Sequence, residues 1–474
     1  MNEQILQVRN PRSLKVDYWI HPLTSLELRA KCDRLRESQT AWQQLGIAGR
    51  IKALQDWKQA LIEHKDELIE SLIQDTGRYS ETLIEFDSVI SGIDRWCRLA
   101  PELLSTEPDK TTAISFIQLQ QQLVPYTLVG VISPWNFPLL LSTIDTIPAL
   151  LAGCAVIAKP SEIAPRFIAP LTKTINSVPE LSNVLLYIEG AGDIGADLIS
   201  EVDLVCFTGS VATGKKVAAA AAARFIPAFL ELGGKDPAIV LASADLDLAS
   251  SAILWGSVIN SGQSCLSIER IYVAASIFDD FVEQLVSKAK KLKLNYPVTE
   301  SGEIGPIIAQ QQAKIITEHL EDAIAKGAKI HCGGAVAELA GGLWCPPTVL
   351  TKVNHDMKIM SEETFAPIMP IMPFASNEEA ISLANDTCYG LSAAVFAGSE
   401  TEAISVAEGL DAGAISINDA GLTAFIHEAE KNAFKFSGIG GSRMGAAALK
   451  RFMRKKAFLI KTQSFADPWW FDPI

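Results

Sequence analysis

Residues 126–160 read YTLVGVISPWNFPLLLSTIDTIPALLAGCAVIAKP and contain the pattern that decides the fold. An apolar run at 128–133 ends at a turn with two prolines. It is followed by a longer apolar run at 139–151, which has the length of a helix. A second short apolar run comes at 155–158. Short apolar runs separated by a helix-length segment indicate a strand–helix–strand unit with parallel strands.

The same alternation continues towards the carboxyl terminus. The first series predicts a helix after Pro165, a strand at 184–188, a helix from Asp193, a strand at 204–207 and a helix at 213–223. A second series begins near Gly233, with strands predicted at 238–241, 270–274, 329–332, 348–351, 368–374, 393–396 and 414–418 and helices at 246–260 and 278–291. Because alternating strands and helices form doubly wound sheets, we predict an α/β protein with two Rossmann-like domains that join around residues 231–235.

The segments outside these series complete the predicted architecture. Residues 25–45 and 47–75 carry apolar residues at helical spacing, and the first hundred residues read as helices. Residues 113–124 alternate loosely with both faces mixed, which predicts a long, partly exposed strand, and 458–463 predicts a final strand. Apolar strand edges in water favour pairing between chains, so we predict a homo-oligomer.

Composition argues against several classes of protein. The chain of 474 residues carries 41 Lys and Arg against 55 Asp and Glu, a net charge of −14, which argues against binding nucleic acid. No apolar run is long enough to span a bilayer, and the amino terminus lacks a signal-peptide pattern. The eight cysteines include no CxxC pair and the six histidines are dispersed. We therefore predict no disulfide framework, no metal site and a cytoplasmic location.

Two residues are candidates for catalysis. Cys265 follows the polar stretch Ser-Gly-Gln-Ser, so its thiol is a candidate nucleophile; an inert loop cysteine is the commoner alternative. Glu231 lies between two leucines and ahead of two glycines. Apolar surroundings make a carboxylate a better general base, and a strand-end carboxylate paired with Lys235 is the alternative.

Other polar residues follow predicted strands. Asn136 is flanked by Pro134 and Pro138, which would hold its amide rigidly as a donor to an oxyanion; an ordinary proline-bounded turn is the alternative. Lys159 and Glu162 are three residues apart and are suited to gripping a ribose diol, with a helix start as the alternative.

Two more motifs have a weak functional signal when taken singly. The turn at 207–210 with Gly214 joins a strand to a helix, where glycines let backbone amides approach a pyrophosphate. It lacks the P-loop lysine and the three-glycine dinucleotide fingerprint. Glu363 belongs to an acidic pair ahead of Phe365, for which helix-start charges before a core aromatic residue are the alternative.

Together and in this order, the motifs resemble the aldehyde dehydrogenase superfamily over nearly the whole chain. The matching segments are Val131-Ile-Ser-Pro-Trp-Asn-Phe-Pro138, Lys159-Pro-Ser-Glu162, Phe207-Thr-Gly-Ser210, Glu231-Leu-Gly-Gly-Lys235, Gly262-Gln-Ser-Cys265, Glu362-Glu-Thr-Phe-Ala-Pro367 and Ser437-Gly-Ile-Gly440. The resemblance implies a cofactor-binding domain (1–106 and 126–232), a catalytic domain (233–445) and an oligomerisation element (107–125 and 446–474) of a homodimer or homotetramer.

The resemblance also implies a reaction. Cys265 would attack the aldehyde carbon, and the Asn136 side chain with the Cys265 backbone N–H would hold the oxyanion. After loss of hydride to a nicotinamide, Glu231 would activate the water that hydrolyses the thioester. The implied cofactor-binding residues are Trp135, Lys159, Glu162, Gly209, Ser210, Gly214, Leu232, Glu363 and Phe365. We expect NAD, because a carboxylate at Glu162 repels a 2′-phosphate, while the nearby Lys159 leaves NADP possible.

The chain departs from the family pattern at two places. Asp145 occupies a position where many relatives carry Lys, and Gly441-Ser442 replaces an Arg-Glu pair that is common after the Ser-Gly-x-Gly turn. Both changes touch residues that are proposed to relay protons in relatives. They concern how Glu231 is activated and leave the nucleophile unchanged.

The substrate is the least determined part of the prediction. Uncharged Ser264 and Leu266 flank the thiol, and apolar residues are expected near the pocket (Phe137, Leu140 and Ile144). This pattern favours an uncharged apolar or aromatic aldehyde over a semialdehyde acid, and 423–434 is expected to shape the entrance.

Two other functions are alternatives to the oxidation of an aldehyde to an acid. A CoA-acylating relative would lack the water-activating Glu231, and a non-catalytic binding protein would tolerate loss of Cys265 or Glu231. The tail Trp469-Trp470-Phe471 is interpreted as a subunit contact, with contact to lipid or to a hydrophobic substrate as the alternative.

Overall fold

The computed structural model describes residues 5–105 and 110–463, so the predicted contact of the Trp469-Trp470 tail lies outside the described residues. The strands are β1 (Leu6–Arg9), β2 (Val16–Ile20), β3 (Lys110–Thr111), β4 (Ile117–Pro125), β5 (Leu128–Ile132), β6 (Ala155–Lys159), β7 (Leu185–Tyr187), β8 (Leu204–Thr208), β9 (Ala228–Glu231), β10 (Asp236–Val240), β11 (Ile268–Ala274), β12 (Lys329–Cys332), β13 (Ala337–Leu339), β14 (Gly342–Trp344), β15 (Thr348–Thr351), β16 (Ile368–Phe374), β17 (Ser392–Phe396), β18 (Ala414–Ile417), β19 (Gly438–Ile439) and β20 (Met453–Lys461).

The helices are α1 (Ser25–Gln44), α2 (Gly46–Glu63), α3 (Lys65–Thr76), α4 (Ser80–Leu103), α5 (Pro138–Thr143), α6 (Thr146–Ala152), α7 (Ile168–Asn176), α8 (Pro179–Ser182), α9 (Gly192–Glu201), α10 (Val211–Arg224), α11 (Leu246–Val258), α12 (Phe278–Ala289), α13 (Gln310–Ala325), α14 (Lys358–Ser361), α15 (Asn377–Asn385), α16 (Glu400–Ala407), α17 (Leu422–Phe425) and α18 (Ala447–Lys450). Within the described ranges, none of these helices combines the length and apolar character needed to cross a membrane.

In the first sheet, the connections that leave two neighbouring strands run in opposite directions along the sheet. Its strand order is β19-β9-β8-β5-β6-β7, with β19 antiparallel and the other five strands parallel. Strands β5 and β8 are neighbours, but the chain passes from β5 towards β6 and from β8 towards β9. In open α/β sheets, such a switch point opens a crevice at the carboxyl ends of the strands, where ligands bind.

The second sheet is covered on both faces. Its order is β12-β15-β16-β11-β10-β17-β18, and only its edge strand β12 is antiparallel among the paired strands that the structure describes. Along β10, Ile239 belongs to one buried cluster while Ala238 and Val240 belong to another. Alternate residues of a strand point to opposite faces, so the two clusters are the two faces of this sheet. The predicted α/β class with two parallel Rossmann-like sheets is confirmed.

A third sheet, in the order β20-β4-β3, contains the predicted exposed strand. This strand begins at Ile117 rather than at residue 113, and the final strand begins at Met453, five positions before the predicted start. The part of the strand that was not predicted includes Arg454, Lys455 and Lys456, which pair in register with 122–124 of β4. Charged residues are tolerated on an edge strand, which is why the apolar pattern missed this part.

Three further expectations were wrong. The first hundred residues are not all helical, because β1 and β2 form an antiparallel hairpin. The helix predicted at 47–75 is two helices that meet at His64. The helix predicted at 139–151 is divided at Ile144 and Asp145. Pro148 has no N–H to donate to the carbonyl four residues earlier, so the helical ladder is interrupted at Ile144.

Candidate active site

The ends of strands from both sheets meet in one cleft. Trp135 follows β5, Gly209 and Ser210 follow β8, and Glu231 ends β9, so all of them lie at the carboxyl edge of the first sheet. Cys265 precedes β11 and Glu363 precedes β16, the neighbouring strand of the second sheet. The residues that line the cleft include Trp135, Asn136, Gly209, Ser210, Glu231, Leu232, Cys265, Glu363 and Phe365. The fold thus brings together most of the residues that the sequence predicted.

A tight turn sets the position of Cys265. Three successive residues of this turn have positive φ values: 53° at Asn260, 56° at Ser261 and 70° at Gly262. Residues other than glycine rarely adopt this left-handed backbone region. The Asn260 side chain stabilises the turn by donating to the Gln263 carbonyl over 2.8 Å. Gly234 packs against the same loop, and a Cβ atom there would lie 2.6 Å from the Cys265 carbonyl oxygen. The motif glycine is therefore required for close packing against Cys265.

Asn136 is fixed to the loop that carries Cys265. Its side chain is 3% exposed, and its Nδ2 donates to the Gln263 carbonyl over 3.0 Å. Asn260 Nδ2 in turn donates to the Asn136 carbonyl over 3.0 Å. An amide nitrogen carries two N–H groups, and the bond to Gln263 uses one of them. The second can donate to an oxygen in the cavity beside Cys265.

The surroundings of Cys265 favour the protonated thiol. Burial, followed by the negative charges of Glu363 and Asp236, raises the pKa of this thiol to about 12, and Glu231 adds to the shift. Arg443 acts in the opposite direction. Because the thiolate is the nucleophilic form, reaction at neutral pH requires that the proton leave as the sulfur attacks.

Glu231 is not paired with Lys235, so that alternative is wrong. Lys235 Nζ lies 2.6 Å from Glu269 Oε2 and donates to Thr364 Oγ1 over 3.1 Å. Glu231 instead lines two spaces. One is the cleft described above, which also contains Trp135 and Ser210 and is called the cofactor-side cleft. The other is a large cavity that also reaches Cys265. Its backbone is held by pairing with Thr208 on one side and with Gly438 of β19 on the other. A carboxylate in this position can accept a proton from a water molecule near Cys265.

Glu269 organises the loop that carries Glu363 and Phe365. It accepts hydrogen bonds from the backbone N–H groups of Thr364 and Phe365 over 2.7 and 2.8 Å. Glu363 accepts from the Gly234 N–H over 3.2 Å, and burial followed by the charge of Glu269 raises its pKa to about 8. The Phe365 ring meets Trp135 edge-on with centroids 5.6 Å apart. Apart from its closeness to Cys265 along the chain, Glu269 stands in no pattern that would have predicted this role.

The cofactor-side cleft fits a dinucleotide. Ser210 caps α10 by accepting from the Thr213 N–H over 3.3 Å, so the amino end of this helix and its positive dipole face the cleft. Gly214 does not line the cleft; a Cβ there would lie 2.5 Å from Leu232 Cδ2, so this glycine lets α10 pack against Leu232.

Lys159 ends β6, Glu162 lies three residues after it, and the two form an ion pair with a 3.6 Å separation. They are at the same edge of the sheet but are not among the residues that line the cleft. Lys159 is buried and donates to the Pro160 carbonyl over 3.2 Å, whereas the Glu162 side chain is partly exposed. A carboxylate with this exposure can meet the hydroxyl groups of a ligand that extends along the edge from Ser210.

Asp145 is a buried carboxylate between two arginines. Arg443 Nη2 lies 2.8 Å from Asp145 Oδ2, and the Arg451 guanidinium contacts the other carboxylate oxygen. Burial alone would raise the pKa of Asp145, but the two cations outweigh this effect and lower it. Arg443 was not among the residues predicted for the site. The signal was Asp145 itself, because a carboxylate in a run of apolar helix residues requires a cationic partner.

The large cavity is partly open to solvent and reaches Cys265; the space in it that is not filled by atoms, including its open part, is about 1630 Å³. Its walls are mostly aliphatic and aromatic, and they include Ile84, Trp96, Phe137, Leu140, Leu141, Ile144, Ile147, Trp255, Ile259, Leu266, Phe425 and Met444. Several residues of the predicted entrance segment 423–434 also line it. Among the described residues, no group of three or more His, Cys, Asp or Glu side chains is arranged to hold a metal ion.

Comparisons with known proteins agree on one family. The pattern of the aldehyde dehydrogenase family matches residues 1–458. A solved structure of the putative aldehyde dehydrogenase PutA from Anabaena variabilis is 66% identical, with a TM-score of 0.97 over 99% of this chain and 100% of that one. Betaine aldehyde dehydrogenase from Staphylococcus aureus, solved with NAD+, is 31% identical, with a TM-score of 0.92 over 99% of this chain and 94% of that one.

A curated relative from Methylomonas sp, named 4,4'-diapolycopene aldehyde oxidase, is 39% identical over 400 residues, which are 83% of this chain and 74% of the relative.

Proposed function

The chain belongs to the aldehyde dehydrogenase family, whose general reaction is the NAD(P)-dependent oxidation of aldehydes, and we propose that its substrate is an uncharged aldehyde with an apolar or aromatic body. The observation that carries this proposal is the apolar lining of the cavity that ends at Cys265. Binding of a hydrocarbon against such a wall is favourable by roughly 25 cal/mol for each Å² of apolar surface that is removed from water. The name of the Methylomonas relative is consistent with such a substrate.

The cations of the cavity support the same proposal, because several of their donors are already bonded within the protein. Arg443 Nη2 is bonded to Asp145 and Thr208, and Lys431 Nζ donates to the Thr423 carbonyl over 2.6 Å. The Arg95 guanidinium lies over the Trp96 ring, 5.3 Å from its centroid. A semialdehyde acid would place a carboxylate in this cavity and favours a bidentate cationic partner, whereas Arg443 Nη2 and Lys431 Nζ are already bonded to the protein.

The site residues are proposed to act as follows. The Cys265 sulfur forms a bond to the aldehyde carbon, and the oxyanion that develops accepts from the Asn136 amide and the Cys265 backbone N–H. NAD or NADP, when bound in the cleft beside Trp135 and Ser210, supplies the hydride acceptor. Glu231 then takes a proton from water, which attacks the thioester carbon and releases the acid from Cys265.

A panel of aldehydes tests the substrate class. Decanal, benzaldehyde and succinate semialdehyde are compared with NAD and with NADP by NADH or NADPH absorbance, and the product is identified with and without CoA. We expect kcat/KM for decanal or benzaldehyde to exceed that for succinate semialdehyde by about tenfold or more. The free acid should form whether or not CoA is present. A preference for succinate semialdehyde, or a product that is an acyl-CoA, would contradict the proposal.

Glu162 is proposed to favour NAD. Replacement of Glu162 by glutamine removes a charge that repels a 2′-phosphate and weakens the contact with a ribose diol. We expect the ratio of kcat/KM for NADP to that for NAD to rise about tenfold. The control is Glu180→Gln, an equal change of charge on the exposed helix α8. A wild-type enzyme that already prefers NADP would contradict this role of Glu162.

The third sheet is proposed to pair chains into a homodimer or homotetramer. Strand β20 forms one edge of the sheet, and on it Phe458 and Leu459 are 44% and 73% exposed. Such an edge is stabilised when another strand covers it. Light scattering at micromolar concentration should give a mass of at least two chains. A mass near 51.2 kDa, that of a single chain, would refute the proposal.

A further inference from the structure

A buried cation lies beside Glu231 in the wall of the active-site cavity. Arg443 is 8% exposed, and its Nη2 donates to Asp145 Oδ2 over 2.8 Å and to Thr208 Oγ1 over 2.5 Å. Thr208 and Glu231 are register partners on the neighbouring parallel strands β8 and β9. Such partners are about 4.8 Å apart and point to the same face of the sheet. The guanidinium that bonds to Thr208 is therefore held next to the Glu231 side chain.

One donor of this guanidinium has no acceptor. Arg443 Nε is buried, and no described residue accepts its hydrogen bond. A buried N–H group without a partner is unfavourable, and such groups usually mark a function or a bound water molecule. Arg443 lines the same cavity as Glu231 and Cys265. A water molecule in this cavity could accept the hydrogen bond of Arg443 Nε.

Charges of both signs surround Glu231, since Glu363 lines the same cleft and Asp236 acts on both Cys265 and Lys431. Arg443 and Lys431 face Glu231 from the segment that follows α17, and Cys265 faces it from the loop before β11. Behind Arg443, the negative charge of Asp145 is balanced by Arg451. Burial alone would lower the pKa of Arg443, but Asp145 and then Glu231 raise it, so the guanidinium stays charged.

We propose, on the basis of the function proposed above, that Arg443 is a positioning residue for thioester hydrolysis. Its Nε–H donates to the attacking water, which in turn bonds to the Glu231 carboxylate, and the positive charge of the guanidinium attracts that carboxylate. In the step itself, one proton of water passes to Glu231 and the oxygen bonds to the thioester carbon. The C–S bond then breaks, and Cys265 leaves as the thiolate while the acid is released.

The test compares two arginines that share one carboxylate. Arg443→Met removes the cation that lines the cavity, and Arg451→Met removes the other partner of Asp145, which does not line it. Each enzyme is loaded with one equivalent of decanal and excess NAD at pH values from 5 to 9. The appearance of NADH gives the rate of acylation, and intact mass after acid quenching gives the decay of the acyl-enzyme.

For Arg443→Met we expect acylation within about threefold of wild type and deacylation about tenfold slower at pH 7. When the deacylation rate is plotted against pH, the rate falls on the acidic side, and this part of the curve is called the acidic limb. The acidic limb should shift upward by about one pH unit, because loss of a neighbouring cation raises the pH at which a carboxylate ionises. Arg443→Lys keeps the charge and should keep the position of the limb. Arg451→Met should lower the melting temperature and leave the limb in place.

Two results would overturn the inference. In the first, the limb stays in place in Arg443→Met although the variant is folded. In the second, both methionine variants shift the limb equally, so the effect belongs to Asp145. If Arg443→Met does not fold, Arg443→Lys replaces it in the comparison. The inference is then overturned if the acidic limb moves in Arg443→Lys and moves by the same amount in Arg451→Met. A wild-type enzyme that forms no NADH from decanal would instead refute the proposed function, which keeps the two failures distinct.

Discussion

Replacement of Cys265 by alanine should abolish aldehyde oxidation while NAD still binds. The hydride-donating adduct cannot form without a bond between the sulfur and the aldehyde carbon, so we expect kcat to fall by about 10⁴-fold or more. The change removes one sulfur from the cleft and leaves Asn136, Ser210 and Glu363 in place. The measurements are NADH absorbance for turnover and calorimetry for NAD binding.

The exposed Cys388 provides the matched control. Cys388→Ala removes a thiol outside the cleft and should keep activity within about twofold of wild type, since surface changes rarely matter. Turnover above about 1% of wild type in Cys265→Ala would mean that another residue is the nucleophile. A loss of NAD binding would mean that the variant has lost the cleft and does not test the nucleophile, in which case Cys265→Ser serves as the second variant.

Replacement of Glu231 by glutamine should separate the two halves of the reaction. Acylation should survive, whereas hydrolysis should slow by about 10²–10⁴-fold, the usual cost of losing a general base. Mixing enzyme, NAD and aldehyde would then give about one NADH per active site, followed by a very slow phase. The acyl group on Cys265 should be visible by intact mass. Because glutamine has the shape of glutamate, the β9 pairing with Gly438 should persist.

The control for Glu231 is the nearby carboxylate of Glu269. Glu269→Gln breaks a buried ion pair with Lys235 and should destabilise the fold by about 3–5 kcal/mol without trapping an acyl-enzyme. If Glu231→Gln loses the burst together with turnover, Glu231 also activates Cys265. If its turnover is near wild type, another group activates the water.

The order of strands and helices was largely predictable because buried strands and amphipathic helices have different periods. Strands β5, β6 and β8 lie within one or two residues of their predicted positions. The hairpin of β1 and β2 was missed because Val16–Ile20 mixes apolar and charged residues on a half-exposed pair. The division of the helix at Ile144 depends on one missing N–H at Pro148, which hydrophobic periodicity does not register.

The candidate site divides in the same way. Cys265, Glu231 and Asn136 are far apart in the sequence, and only the resemblance to a family predicted that they act together. What the resemblance did not contain is specific to this chain: the charge pair of Asp145 with Arg443. Local sequence cannot predict such a pair, because its members come from segments that meet only in the folded protein.

Pairing of β19 with β9 joins two segments that are made at different times during synthesis. Gly438, which covers the strand of Glu231, is made about 200 residues after Glu231. At about 5–20 residues per second, the ribosome needs about 10–40 s to add the intervening residues. During that interval, the edge of β9 lacks its neighbour and Asp145 lacks Arg443 and Arg451. The first sheet and the ion pairs of Asp145 are therefore complete only after residues 438–451 have been made.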